Sequence, residues 1–495
     1  MANSRLRVGI IGAGIGGLTA AIAIARAGAD VTILEAATEL GEIGAGIQVL
    51  PNVSRFLIRW GVDKIIGDDL VPFKECNTRW GPDATLIEHS DTTAVVRNTG
   101  FPWWVVRRDH LHAGLAESAK RHGCKLIVNA RVSQIHDSGP SVAVSTENGA
   151  SYTFDLALGA DGIRSVTRAH LFPGVTAKAT SKVAAYRGVL SYSAIYAAAP
   201  EARGLLSAGG DVWTGPRGYI LTYPISGGRE CNIVTAFCKD DYVTKPEAVS
   251  TDEFRSYYKD YHPVLQKMIS LVDYTQRWPL LTMPRLETWS NSKRNLVLLG
   301  DAAHCMQNHM AQGAATAMED GAFLGRVISE VVRGVLSLDE AIRLYEKQRI
   351  PKAWIKQQLS HISGINNMRE KPEDIRDREA ASKPQVEALG HNPVKAPELP
   401  PTFRSWQIWD SDVSVPGVFY YDAEADADCA VMEFLQSSGE VDEFEMLSSR
   451  VKDKFVGYVA DNGMGHHVLP ALHDGTVKHG ETVDAFKRVA TAVEE

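Results

Sequence analysis

Several features that mark large classes of protein are missing from this chain of 495 residues. It has no excess of positive charge, since its formal net charge is −8, so its electrostatics do not favour a nucleic acid partner. Its six cysteines form no Cys-x-x-Cys pair, which predicts reduced thiols and neither a disulfide framework nor a metal site. We find no internal repeat, and a content of 44% hydrophobic and 23% charged residues indicates a globular protein.

Long hydrophobic segments are equally scarce. One uncharged run, from Val8 to Ala25, approaches the length of a transmembrane helix, but it is rich in glycine and lacks the basic start of a signal peptide. The final residues, 492–495, match no peroxisomal or endoplasmic-reticulum signal. We therefore expect a cytoplasmic protein without a membrane span.

The order of apolar runs predicts an α/β fold. The first 35 residues indicate a strand at 6–11, a tight turn at 12–17, a helix at 18–27 and a strand at 31–34. Alternating runs within 140–290, such as 219–223 and 233–237, indicate half-buried strands. A buried strand at 296–299 then precedes helical sequence to about residue 365, with a capping box at Ser337 and Glu340.

These changes of character suggest four segments. We predict a Rossmann-type cofactor-binding domain in two parts, residues 1–180 and 286–365, around a β-rich substrate domain at 181–285. The helices of the second part make the C-terminal part of this fold helical. Residues 366–495 form an extension with a linker and an acidic tail, and a solvated acidic face is the interpretation that the composition favours.

The turn at 12–17 has the spacing of a dinucleotide-binding loop. Gly12 permits the tight turn, Gly14 lets the backbone approach a pyrophosphate, and Gly17 lets the helix pack on the sheet. The helix N-terminus supplies free N–H groups to the phosphates, and Glu35, at the end of the second strand, would accept from both ribose hydroxyls. This pattern alone does not distinguish FAD from NAD.

Two later motifs bear on that choice. Residues 159–165 (Gly-Ala-Asp-Gly-Ile-Arg-Ser) follow an apolar run, and residues 300–304 (Gly-Asp-Ala-Ala-His) end a buried strand. With these motifs the sequence resembles the single-component flavoprotein aromatic hydroxylases, the p-hydroxybenzoate hydroxylase-like group. It is most similar to the salicylate-hydroxylase-like branch, for which we expect a fungal origin. The similarity runs from about residue 5 to residue 349 and includes the segments 12–17, 41–48, 107–111, 159–165, 300–304 and 312–315.

The resemblance implies FAD as cofactor, NADPH or NADH as co-substrate, and a set of cofactor contacts. Glu35 would hold the adenosine ribose, and Arg108 would reach the ribityl chain or the pyrophosphate. Asp161 belongs to the motif that serves both FAD and the pyridine nucleotide, and Asp301 would bind the ribityl chain. The remaining predicted contacts lie beside the flavin ring: Ala45, Gly46 and Gln48 along it, and Gly313 and Ala314 with their backbone N–H groups near its pyrimidine edge.

The resemblance implies four substrate-side residues, each with a structural alternative. Arg187 is placed where some relatives have an arginine that pairs with a phenolate, but a structural ion pair fits equally well. Tyr219, with Tyr223 as the alternative, matches the spacing of an active tyrosine, and strand packing explains either one. His309 belongs to the loop expected beside the flavin, where a loop hydrogen bond is the other interpretation.

The predicted function is an FAD-dependent monooxygenase that uses NAD(P)H and O2 to hydroxylate a small phenolic substrate. By resemblance, oxygen is transferred from a flavin hydroperoxide, and carbon dioxide is lost when the attacked carbon bears a carboxylate. Alternatives on the same scaffold are an epoxidase or dearomatising hydroxylase of secondary metabolism, an NAD-dependent dehydrogenase, or a non-catalytic flavoprotein. We expect a monomer or a homodimer, with no metal.

Overall fold

The computed structural model describes residues 5–41, 45–368, 370–371, 382–386, 388–389 and 415–438. Nineteen strands within these residues form four sheets. In chain order the strands are β1 (Arg7–Ile11), β2 (Asp30–Leu34), β3 (Gly46–Val49), β4 (Val71–Pro72), β5 (Glu75–Trp80), β6 (Leu86–Asp91), β7 (Trp104–Arg107), β8 (Lys125–Ile127), β9 (Val132–His136), β10 (Val142–Thr146), β11 (Ser151–Phe154), β12 (Leu156–Gly159), β13 (Lys178–Ser191), β14 (Gly210–Gly215), β15 (Gly218–Ile225), β16 (Glu230–Cys238), β17 (Glu247–Val249), β18 (Thr275–Thr282) and β19 (Leu296–Leu298).

Helices connect and cover these sheets. They are α1 (Ile15–Arg26), α2 (Pro51–Arg59), α3 (Val62–Ile66), α4 (Thr93–Thr99), α5 (Arg108–Arg121), α6 (Val166–Leu171), α7 (Tyr192–Ala198), α8 (Thr251–Ser256), α9 (Pro263–Ser270), α10 (Asp301–His304), α11 (Gly313–Val332), α12 (Leu338–Asn366) and α13 (Ala423–Ser438), with a π-helical turn, Val415–Tyr420, before the last. The capping box predicted at Ser337 and Glu340 is confirmed and begins α12.

A five-stranded parallel sheet, in the order β19-β12-β1-β2-β8, forms the centre of the first layer. The uncharged run noted in the sequence supplies β1 and α1, and its side chains Val8, Ile10 and Leu18 are fully buried. Helices α1 and α11 pack together beside this sheet, so glycine and alanine in the run serve close packing and not lipid contact. Within the described part of the chain, none of the helices combines the length and the apolar character that a membrane crossing needs.

An eight-stranded sheet, in the order β17-β18-β13-β16-β15-β14-β5-β6, forms the second layer. Ile220 and Ile233 pack on one of its faces with residues of α8 and α9, while Tyr219 and Tyr223 of β15 lie on the other face. The prediction of half-buried strands is therefore wrong for β15 and β16, because both faces of the sheet are covered. Strands β5 and β6 extend this sheet, although residues 75–91 belong to the segment assigned to the first part of the FAD-binding domain.

The segment 415–438 corrects the interpretation of the acidic tail as a solvated face. Asp422 and Glu424 are buried, because their carboxylates pair with arginines of α2. Arg59 lies 2.7 Å from Asp422 and 2.9 Å from Glu424, and Arg55 lies 3.3 Å from Asp422. The alanines of α13 pack on α11 in the core of the first layer. Residues 372–381, 390–414 and 439–495, which include much of the predicted linker and the rest of the acidic tail, lie outside the described residues.

Candidate active site

The turn between β1 and α1 is tightly packed on its inner side and open on its outer side. Gly12 has a φ of +103°, and a Cβ on Gly17 would lie 2.1 Å from the Gly12 carbonyl oxygen. A Cβ on Gly14, by contrast, would meet no atom within 4 Å. Gly14 is also the N-cap of α1 and provides no side-chain cap, so the first N–H groups of this helix remain available to an anion. The geometry therefore fits a pyrophosphate.

Glu35 lies directly beside this turn. Its two carboxylate oxygens accept hydrogen bonds from the backbone N–H groups of Ala13, at 2.7 Å, and Ala37, at 2.8 Å. Each oxygen keeps a further lone pair, so the carboxylate can still accept from ribose hydroxyls. The turn is held from behind by His112, whose Nε2 lies 2.7 Å from the Ala13 carbonyl oxygen. We did not predict this histidine, and its buried position on α5 becomes evident only in the fold.

A cavity between the two layers joins segments that are far apart in the sequence. Glycines and polar residues at the ends of several elements line one part of it. We call this set the glycine wall: Gly14, Gly46, Gln48, Arg108, Asp301, Gly313 and Ala314.

Polar groups of this cavity fit the pyrimidine end of a flavin. The side-chain oxygens of Gln48 and Asn308, both lining residues, are buried and have no hydrogen-bond partner within the described residues. Helix α11 begins at Gly313 in the lining, and its N-cap residue Gln312 does not cap it with its side chain. The positive end of this 20-residue helix would favour the negative charge that a reduced flavin carries.

Charged and aromatic side chains line another part of the same cavity. We call this set the tyrosine wall: Arg187 from β13, Tyr219 and Tyr223 from β15, and His309 from the loop before α11. The Tyr219 hydroxyl lies 2.7 Å from His309 Nδ1. Burial lowers the pKa of His309 to about 3, with a smaller effect from His361, so its imidazole is neutral at physiological pH.

The two tyrosines keep their protons at neutral pH. Burial raises the pKa of Tyr219 above its ordinary value. Burial also raises the pKa of Tyr223, and the charge of Arg187 acts in the opposite direction. The tyrosine wall therefore combines one guanidinium with three neutral hydrogen-bonding groups.

Two residues that the sequence did not reveal support these walls. Asn232 of β16 accepts a 2.7 Å hydrogen bond from the Gly46 N–H, and a Cβ on Gly46 would lie 2.6 Å from both Asn232 and Tyr223. Gly364 of α12 packs against His309, since a Cβ there would lie 2.3 Å from the imidazole Cδ2. Gly46 thus allows the glycine wall to approach Asn232 and Tyr223 closely, and Gly364 allows α12 to approach His309 of the tyrosine wall.

Comparisons with known proteins agree with this geometry. The family described as FAD binding domain matches residues 5–360. The FAD-dependent monooxygenase OpS4 of Beauveria bassiana is 30% identical over 437 residues, which cover 86% of this chain and 97% of that protein. The 3-hydroxybenzoate 6-hydroxylase of Klebsiella oxytoca is 31% identical over 370 residues, which cover 73% of this chain and 90% of that protein.

The chain belongs to the single-component FAD-dependent aromatic hydroxylases. This protein is therefore an enzyme, a hydroxylase with FAD as its cofactor. Its fold is that of a salicylate hydroxylase solved as a substrate complex, with a TM-score of 0.66, 21% identity, and coverage of 86% of this chain and 98% of that one. Its relatives come from a fungus and from bacteria, so the fungal origin remains a prediction.

The hydroxylase brings most of the predicted site residues to one cavity, but not all. The glycine wall and the tyrosine wall contain eleven of them. Asp161 lies outside the lining, and its carboxylate accepts from the Ser165 hydroxyl at 2.5 Å and from the Thr167 N–H at 3.0 Å, at the start of α6. The other predicted residues outside the lining are the two inner glycines of the turn, Gly12 and Gly17, with Glu35 beside it and Ala45 next to Gly46. The individual roles of all sixteen toward FAD and substrate remain predictions.

Proposed function

We propose that the hydroxylase uses NAD(P)H and O2 to hydroxylate a phenolic aromatic acid. The observation that carries this proposal is that Arg187, Tyr219 and His309 line the same cavity as the glycine wall. A substrate ring there would meet one cation and several hydrogen-bonding groups next to the expected flavin position. The bound FAD supplies the reduction of oxygen and its transfer, and the protein supplies orientation, ionisation of the phenol and exclusion of water.

In this proposal Arg187 stabilises the phenolate form of the substrate. A positive charge close to a phenol lowers the pKa of its hydroxyl, and the ionised ring is the better nucleophile at its ortho and para carbons. The nearby Tyr219, Tyr223 and His309 are neutral, so they do not compete with the substrate for this charge.

The pair of Tyr219 and His309 orients the substrate hydroxyl. With a pKa of about 3, His309 is too weak a base to keep the phenol proton at neutral pH. We therefore assign it the role of an acceptor: while the substrate phenol is protonated, the Tyr219 hydroxyl donates to Nδ1, and the lone pairs of the Tyr219 oxygen accept from the phenol. When the phenol ionises beside Arg187, its proton is released to solvent. Tyr219 then contacts the substrate, and His309 acts through it.

The named relatives support an aromatic acid as the substrate class. They include 3-hydroxybenzoate 6-hydroxylase, 6-hydroxynicotinate 3-monooxygenase and salicylate hydroxylase, whose named substrates carry a ring hydroxyl and a carboxylate. If the attacked carbon of the substrate bears the carboxylate, hydroxylation expels carbon dioxide. Decarboxylation is thus decided by which ring carbon the substrate presents to the flavin.

A panel of salicylate, 3-hydroxybenzoate, 6-hydroxynicotinate and the matching phenols without carboxylate tests the proposal. We expect at least one acid to accelerate NADH or NADPH oxidation and to yield a hydroxylated product, scored by mass and by released carbon dioxide. A product that has gained oxygen but lost its aromatic ring would instead identify an epoxidase or a dearomatising hydroxylase.

Arg187→Ala tests the part assigned to the guanidinium. The variant should slow oxygen transfer by about thirtyfold to a thousandfold while flavin reduction continues, because only the oxygenation step needs an ionised ring. In steady state it should consume NAD(P)H and release hydrogen peroxide. Arg229→Ala, which removes an exposed arginine paired with Asp69, is the matched control. Wild-type coupling in Arg187→Ala would make the arginine structural.

A further inference from the structure

Two neighbouring carboxylates, Glu319 and Asp320, are completely buried in the middle of α11. Asp320 Oδ2 accepts from the Gly300 N–H at 3.0 Å and lies 2.6 Å from His304 Nε2. These contacts fix the turn that ends at Asp301 in the glycine wall. Burial acts to raise the pKa of Asp320, but its contacts with His304 and Arg349 lower that pKa to about 2, so this carboxylate is ionised.

Glu319 reaches the other end of the glycine wall. Its Oε1 accepts from Asn52 at 2.7 Å and from Lys356 at 2.5 Å. The same two donors also contact the side-chain oxygen of Gln312, Asn52 at 3.2 Å and Lys356 at 3.1 Å. Gln312 is the N-cap of α11 and directly precedes Gly313. Glu319 therefore holds the N-terminus of the helix, as Asp320 holds the Gly300 turn.

One guanidinium joins these two branches. Arg349 of α12 is 0% exposed, and it donates from Nη2 to Glu319 at 2.8 Å and from Nε to Asp320 at 2.9 Å. Its Nη1 donates to the hydroxyl of Tyr421 at 2.9 Å. Tyr421 precedes α13 and in turn donates to Asp426 at 2.7 Å. Arg349 Nη2 also donates to the Thr316 carbonyl oxygen of α11 at 3.2 Å, and a planar guanidinium that serves four acceptors holds them in a fixed relative geometry.

Contacts other than that of Tyr421 with Arg349 also attach α13. That helix packs its alanines into the core, and Arg326 pairs with Asp428 at 2.5 Å on another part of its surface. The Tyr421 hydroxyl donates to Asp426, which makes its oxygen a stronger acceptor for Arg349. Arg349 is the residue that joins the Glu319 and Asp320 branches.

We propose that the C-terminal segment 415–438 is part of the FAD site, and that Tyr421 is a positioning residue which, through Arg349, sets the spacing between the Gly300–Asp301 turn and the N-terminus of α11. This inference rests on the FAD site and is independent of the proposed substrate. It gives the acidic segment, which the sequence left without a role, a function in cofactor binding.

Tyr421→Phe in the full-length holoenzyme tests the proposal. The change keeps the ring near Arg349 and removes only the hydroxyl. We expect the dissociation constant for FAD, followed by flavin fluorescence, to rise about fivefold to tenfold, which is less than the full value of a hydrogen bond to a charged group because Tyr421 acts on FAD only through Arg349. The visible absorption bands of the bound flavin should shift as well, because the charged groups around it move. Asp428→Asn, which breaks the pair with Arg326 in the same helix, is the control and should lower the melting temperature without changing either flavin property.

Two results would overturn the proposal. One is a Tyr421→Phe enzyme with wild-type FAD affinity and a wild-type flavin spectrum. The other is equal loss of FAD affinity in both variants in proportion to their melting temperatures, which would reduce Tyr421 to a docking contact. If Tyr421→Phe does not fold, Asp426→Asn replaces it, because it leaves the hydroxyl but removes its charged acceptor; since Asp426 also pairs with Lys352 at 3.1 Å, its FAD affinity is compared with that of Lys352→Met. Weaker FAD binding in Asp426→Asn than in Lys352→Met supports the proposal, and equal binding in the two variants contradicts it.

Discussion

The glycine wall and the tyrosine wall line the same cavity by different means. The glycine wall relies on backbone: an open face at Gly14, a glycine at the start of α11, and a close approach at Gly46. The tyrosine wall relies on side chains from two strands of the eight-stranded sheet and one loop, which meet as Tyr219 meets His309. The difference indicates that added bulk should harm the first wall, whereas the second should respond to the loss of a functional group.

The largest effect should come from adding one methyl group to the turn after β1. In Gly17→Ala the new Cβ would lie 2.1 Å from the Gly12 carbonyl oxygen, and backbone cannot move aside cheaply. We expect the free energy of unfolding to fall by about 3 kcal/mol, together with loss of FAD. Denaturant titration of the protein freed of FAD measures the first effect, and the flavin absorbance of the purified protein measures the second.

Gly14→Ala is the matched control for this variant. Its Cβ would meet no protein atom within 4 Å, so the protein freed of FAD should keep its stability and lose only affinity for FAD. Equal destabilisation by the two substitutions would contradict the distinction between the inner and the outer side of the turn.

The glycine wall was easier to predict from the sequence than the tyrosine wall, for a physical reason. Glycines that must adopt a positive φ or allow a close approach occur at a fixed local spacing. The turn at 12–17, which includes Gly14 of this wall, could therefore be recognised from the sequence itself. The contact of Tyr219 with His309 joins residues 90 positions apart and depends on how a loop settles on a sheet. Local patterns contain no information about that arrangement, although the resemblance had named both residues.

Charge patterns misled the sequence analysis for a related reason. A run of carboxylates is indistinguishable from a solvated surface unless its partners are known. The partners of Asp422 and Glu424 are arginines on α2, more than 360 residues earlier in the chain.

An intermediate effect is expected from Asp301, the acidic side chain of the glycine wall. Asp301→Ala should weaken FAD binding by about 1.5–3 kcal/mol, the range for a hydrogen bond to a charged group. That corresponds to a dissociation constant about tenfold to a hundredfold higher, measurable by fluorescence titration. Asp240→Ala, which removes an acidic side chain that is 89% exposed and is not among the residues that line the cavity, is the control. Unchanged FAD affinity would show that the glycine wall contacts FAD through backbone alone.

The smallest effect concerns protons in the tyrosine wall. The pKa of His309 falls from 6.5 in the unfolded chain to about 3 in the folded one, first because of burial and then because of His361. Between about pH 3 and pH 6.5, His309 is therefore protonated in the unfolded chain but not in the folded chain. The stability that His309 contributes is complete above pH 6.5 and is lost as the pH falls toward 3. Between pH 7.5 and 5.5 the free energy of unfolding should fall by about 1.4 kcal/mol because of this histidine.

His309→Gln keeps a hydrogen-bond acceptor for Tyr219 but does not titrate. Its free energy of unfolding should therefore fall less than that of the wild type over this pH range, when both proteins are unfolded by denaturant with excess FAD. Parallel curves for the two proteins would mean that His309 is protonated as easily in the folded enzyme as in the unfolded chain, and it could then accept the substrate proton itself.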